Sequence, residues 1–90
     1  MAAQLKGTIR GDALTVQADV GQWPIAHVIV QATFSVPAFQ PEHSMLLAPR
    51  NIETVFVQVP GNSSVTARLE SRGAVLLFLR VVDALPLTAW

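Results

Sequence analysis

Apolar and polar residues alternate along most of this chain, with the period of two that a strand buried on one face imposes. The run from Ile25 to Val36 is the clearest. Ala26, Val28, Val30, Ala32, Phe34 and Val36 fall on one face, and Ile25, His27, Ile29, Gln31, Thr33 and Ser35 fall on the other. A half-buried strand, long enough to bend or bulge, is predicted there. Upstream, Leu14, Val16, Ala18 and Val20 alternate with Thr15, Gln17 and Asp19, and Leu5, Gly7 and Ile9 alternate with Gln4, Lys6, Thr8 and Arg10. Ile52 to Val59 and Val65 to Glu70 read as further strands.

Ala74 to Val82 breaks the pattern, because AVLLFLRVV is apolar on both faces except at Arg80. Its length, valine content and flanking Gly73 favour a strand over a buried helix. A strand apolar on both faces belongs at the centre of a sheet or under cover on both sides. On that reading Leu77→Ala costs about 2–5 kcal/mol.

The turn chemistry agrees with short antiparallel strands. Gly11-Asp12 suits a two-residue hairpin, and Arg72-Gly73 is expected to do the same between the Val65 and Ala74 strands. Pro60-Gly61-Asn62 reads as a turn in which Gly or Asn takes positive φ. Pro24, Pro37, Pro41 and Pro49 mark strand ends, where a missing amide proton costs least. Between Pro37 and Arg50 lies the one long irregular segment, with at most one short helical turn near 41–48 that starts at Pro41 and stops at Pro49. Residues 1–90 are therefore expected to form a single all-β domain, a small antiparallel β-sandwich or barrel of six to seven strands.

Composition adds a question rather than a motif. Hydrophobic residues make up 51% of the 90 positions and charged residues only 13%, with six cations against six anions. A soluble domain usually carries about a quarter charged residues. A chain of this mass exposes roughly 5,000 Å², and twelve charged side chains are few for that area. Either Thr, Gln and Ser cover the surface, or another chain covers part of it. A neutral chain has nothing to hold its copies apart. The missing basic surplus speaks against nucleic acid. High hydrophobicity excludes disorder. The absence of cysteine excludes disulfides and thiolate metal sites. No secretory leader is expected at the N-terminus. The longest apolar run, Ala74 to Leu79, is far short of a spanning helix, and no membrane partner is expected.

No catalytic constellation stands out. His27 and His43 have no carboxylate at ligand spacing; His27 reads as a solvent-facing strand residue and His43 as a loop residue. Glu53 and Glu70 have arginine neighbours with which to pair. Arg10-Gly11-Asp12 spells an integrin-type tripeptide at a hairpin tip, yet turn chemistry explains it. Asn62-Ser63-Ser64 matches a glycosylation sequon but, with no secretory leader expected, is better read as turn residues. Catalytic, cofactor-binding and metal residues are accordingly expected to be none. Arg80, alone in its apolar strand, is expected at a sheet edge or subunit contact, paired with a carboxylate such as Asp83.

These features favour a non-enzymatic structural or assembly protein that acts as a homo-oligomer or binds a repeating scaffold. A virion component, such as a tailed-phage capsid decoration or connector protein, has this kind of composition; a virion is also the location it suggests. Contact with another chain is expected at the apolar run Ala74 to Val82, the proline-bounded segment and the tail. The residues singled out are Phe39, Met45, Leu46, Leu47 and Arg50 in the proline-bounded segment, Arg80 in the apolar run, and Leu85, Leu87 and Trp90 in the tail. The alternative is an adaptor domain that holds a ligand or peptide in a groove or at a sheet edge. With so few aromatics and no tyrosine, glycans are a poor fit for it.

Overall fold

A computed structural model of the chain describes residues 3–38 and 49–88. These form six strands: β1 (Gln4–Arg10), β2 (Ala13–Asp19), β3 (Ile25–Pro37), β4 (Arg50–Pro60), β5 (Ser63–Arg68) and β6 (Val75–Pro86). The expected short helical turn near 41–48, with Pro41 and His43, lies outside the described residues. The strands make two antiparallel three-stranded sheets, ordered β1-β2-β5 and β4-β3-β6. The expected small all-β fold is the one observed, with the two sheets stacked as a sandwich.

The alternation explains the core. Leu14, Val16 and Ala18 of β2 are fully buried against Val28, Val30 and Ala32 of β3, with Phe34, Val57, Val59 and Leu69 completing the layer. Both central strands therefore turn one whole apolar face inward, the arrangement that removes most apolar area from water per residue. The sheets approach closely at Gly7. A Cβ there would lie 2.7 Å from Leu79 Cδ1 and 2.8 Å from Leu76 Cδ2, so a larger residue fits only if those leucine side chains shift.

The loops follow their turn chemistry in part. Gly11 has φ of 62° and Arg10 pairs with Ala13, so Gly11-Asp12 closes the β1–β2 hairpin. Positive φ at the first central position alone is the type II′ pattern. Asn62 takes φ of 60° after Gly61. Its side chain then clasps the β2–β3 turn: Oδ1 accepts from Val20 N at 2.9 Å, and Nδ2 donates to the Gly21 carbonyl at 3.0 Å. Pro24 precedes β3, Pro37 ends it and Pro49 precedes β4.

Two expectations are overturned. Arg72-Gly73 does not close a hairpin, because β5 pairs with β2 and β6 pairs with β3; residues 69–74 carry the chain from one sheet to the other. Nor is Ala74 to Val82 central. β3 is the central strand and β6 an edge. The both-faced apolar run has a different cause, which lies in the register. Ile29 pairs with Asp83 and Val30 with Val81, leaving Val82 extra; Thr33 pairs with Phe78 and Phe34 with Leu76, leaving Leu77 extra. Each bulge resets the alternation, since two residues on one strand then oppose one on its neighbour. Leu76, Leu79, Val81 and Ala84 pack inward against the core, while Leu77 and Phe78, and Val82 and Asp83, are left exposed between them.

Candidate functional site

Eight large hydrophobic side chains are exposed among the described residues, and six of them belong to β4 and β6: Ile52, Phe56, Val75, Leu77, Phe78 and Val82. Strand pairing places Ile52, Phe56, Val75 and Phe78 on one surface, and the bulged Leu77 and Val82 are exposed beside them. Ser35 lies between Ile52 and Val75, Thr33 between Thr54 and Phe78, and Gln31 between Phe56 and Arg80. The outer face of the β4-β3-β6 sheet thus has two apolar ridges, on β4 and β6, and a polar floor along β3. Phe56 is 65% exposed and Ile52 63%, whereas Thr33 and Ser35 on the floor are 6% and 7% exposed. The small floor residues lie sheltered between their larger neighbours.

The floor is bonded to itself and to its rims. Arg80 Nε donates to Gln31 Oε1 at 2.8 Å, Gln31 Nε2 to Thr33 Oγ1 at 3.4 Å, and Thr33 and Thr54 share a hydroxyl contact of 3.4 Å. At the β3–β4 neck, Arg50 Nε donates to Ser35 Oγ at 3.0 Å. Its Nη2 donates to the Ser35 and Gly73 carbonyls at 3.0 and 2.8 Å, tying β4 to β3 and to the start of β6. Among the described residues no buried side-chain nitrogen or oxygen lacks a partner. These bonds lower the cost of covering the floor, because an unpartnered polar group is the expensive one to bury.

The expected contact residues fall in different places. Arg50 and Arg80 border this face. Arg80 does lie on an edge strand, but its partner is Gln31 rather than a carboxylate, because Asp83 Oδ1 accepts from the next backbone amide at Ala84. Leu85 is half-buried beside His27. Leu87 is 61% exposed, and its amide donates to the Pro24 carbonyl, which puts it at the far end near the exposed Trp23. Phe39, Met45, Leu46, Leu47 and Trp90 lie outside the described residues. Val75, Leu77, Phe78 and Val82 fall within the apolar run expected to meet another chain, although only Arg80 was singled out there, and Ile52 and Phe56 were missed. A signal for those two existed in β4, where they share one parity while Val55, Val57 and Val59 hold the other.

Other candidates have local roles. Asp12 of the Arg-Gly-Asp turn accepts from Arg68 Nη1 at 3.1 Å, so its carboxylate already serves the β2–β5 pair. Asn62 of the sequon uses both ends of its amide in the clasp on the β2–β3 turn. Glu53 and Glu70 line one open concavity with Phe34, Arg68 and Leu69, but Arg68 is bonded to Asp12, and among the described residues neither glutamate forms an ion pair. No group of three metal-ligating side chains converges among the described residues, and no helix there is long and apolar enough to cross a membrane. The fold defines a small antiparallel β-sandwich with one unusually apolar outer face. Compared with protein families, curated proteins and solved structures, the chain matches none of them.

Proposed function

We propose that this chain is a non-enzymatic assembly module and that another protein chain covers the outer face of its β4-β3-β6 sheet. The supporting observation is the concentration of six exposed large apolar side chains on the two edge strands of that sheet, four of them set on its outer face by the register. They stand beside a floor linked by hydrogen bonds among Arg80, Gln31, Thr33 and Thr54. Scattered surface hydrophobics need no explanation, whereas large apolar side chains gathered along both sides of one sheet face and bordered by polar groups are the pattern of an interaction surface. The finer setting, a repeating scaffold such as a tailed-phage capsid on which the chain acts as a decoration or connector protein, rests on composition alone.

The test is the mass of the protein as isolated, measured by light scattering for the wild type and for a Phe56→Glu/Phe78→Glu double variant. The wild type is expected above the 9.7 kDa of one chain, and the variant is expected to fall to it. A wild-type monomer carrying no other chain overturns the proposal. Electron microscopy of the co-purifying material tests the scaffold setting, which fails if no repeating assembly is present.

A further inference from the structure

We infer that the occupant of this face is a second copy of the chain, stacked sheet on sheet about a two-fold axis that lies in the interface and runs across the strands, over β3 between Gln31 and Thr33. The inference rests on the assembly reading above and gives it a partner.

Size is the first argument. At exposures between 41% and 65%, the six apolar side chains present roughly 600 Å², the upper end for a monomer's largest apolar patch. With the floor and rims, the face reaches about the 800 Å² that each partner buries in a standard-size complex.

Charge is the second. Arg50 lies at the Ser35 end of the face and Asp83 at the Ile29 end. A two-fold axis running across the strands between Gln31 and Thr33 exchanges those ends, so like charges are not set against each other: Arg50 of β4 faces the Pro60 end of the other copy's β4, and Asp83 of β6 faces its Val75. The same operation sets Phe78 across from Arg80, a cation–π geometry. A self-complementary patch is what an isologous dimer needs, and neutral copies approach without net repulsion.

The third argument removes the competing mode, in which edge strands pair. β6 carries bulges at Leu77 and Val82. β4 is bounded by Pro49 and Pro60, and the pairing of Glu53 with Phe34 turns a charge toward the inner side of the sheet. Bulges, prolines and inward charges are the devices that blunt an edge. With both edges blunted, face-to-face stacking is the contact left to this sheet.

The experiment is sedimentation equilibrium on the purified chain alone, over a concentration series. A dimer is expected. Phe56→Glu and Phe78→Glu are each expected to weaken it about tenfold or more, and Thr66→Glu on the opposite sheet is expected to leave it unchanged. Because the chain has no cysteine, Gln31→Cys gives an independent reading: stacked sheets lie about 10 Å apart, so a bis-maleimide with a spacer long enough to cross that gap should link two copies through it and should fail with Thr66→Cys. Circular dichroism melting checks that each variant is folded.

A chain that stays monomeric throughout the series overturns the second-copy inference. If the protein as isolated nonetheless carries a different chain that Phe78→Glu releases, the assembly reading survives that failure. A dimer sensitive to Phe56→Glu but not to Phe78→Glu is β4 edge pairing and overturns the stacking. A dimer indifferent to both glutamates overturns the inference and the assembly reading together.

Discussion

The two sheets share one core and differ on their outer faces. The outer face of β1-β2-β5 presents Lys6, Thr8 and Arg10, then Thr15 and Gln17, then Ser64, Thr66 and Arg68, with Ala13 as its one small apolar member. The outer face of β4-β3-β6 has a comparable polar strip at its centre but apolar ridges on both sides. Both inner faces obey the same alternation, so the core gives no reason for the difference. A sheet that meets water needs polar residues on its outer side, and only the first sheet supplies them across its width. The contrast therefore lies in the outer faces alone, and among the described strands the exposed apolar side chains gather on one of them.

The sharpest way to break that contrast compares two phenylalanines on neighbouring strands of the same sheet. Phe34 faces inward and is 2% exposed, whereas Phe56 faces outward and is 65% exposed. Phe34→Ala should cost about 3–5 kcal/mol, through lost burial and the cavity left behind. Phe56→Ala should cost under about 1 kcal/mol in the isolated chain, as a surface change. Chemical denaturation of both variants at a concentration where only monomer is present checks the pair. Equal costs would mean that Phe56 is packed within the chain and that the apolar ridge is no free surface.

The next effect concerns the joint between the sheets rather than their faces. Asn62 holds the β2–β3 turn through two hydrogen bonds and itself takes a left-handed backbone conformation. Asn62→Ala should cost about 1–3 kcal/mol, since it removes both bonds and leaves a residue less suited to that conformation. Asn62→Gly, which keeps the backbone freedom and loses only the bonds, should cost less. A melting series in which alanine and glycine behave alike would place the whole effect in the side chain.

Much of the fold was legible in the residues, for a physical reason. Burial on one face imposes period two, and β1, β2 and β3 carry that period without interruption. Gly11 and the prolines punctuate it where backbone geometry requires. Pairing was less legible, because a turn such as Arg72-Gly73 records a local reversal and not the sheet into which the chain emerges. The candidate surface was the least legible part. Leu77 and Val82 are bulged, and a bulge shifts all later residues to the opposite parity, so β6 imitated a strand covered on both sides. A direct check is available in β6 itself. Leu79→Ala, on the inward side, should cost about 2 kcal/mol, and Leu77→Ala, at 50% exposure, roughly 0.5–1 kcal/mol. Thermal unfolding that ranks Leu77 above Leu79 would restore the central-strand reading.

The smallest predicted difference isolates the two floors. Each central strand has an outward threonine that meets a threonine on its neighbour: Thr15 meets Thr66 at 3.0 Å, and Thr33 meets Thr54 at 3.4 Å. The first pair stands among polar neighbours in water, while Thr33 is 6% exposed between the ridges and also accepts from Gln31. Water replaces the lost partner when Thr15 is truncated, so Thr15→Ala should stay within about 0.5 kcal/mol of wild type. Truncating Thr33 leaves the Thr54 hydroxyl and the Gln31 amide with a poorer environment and less access to water. Thr33→Ala should therefore cost about 1 kcal/mol. Calorimetry that finds both within error of wild type would show that the sheltered floor is as well solvated as the open one, and the ridges would then be too far apart to keep water off β3.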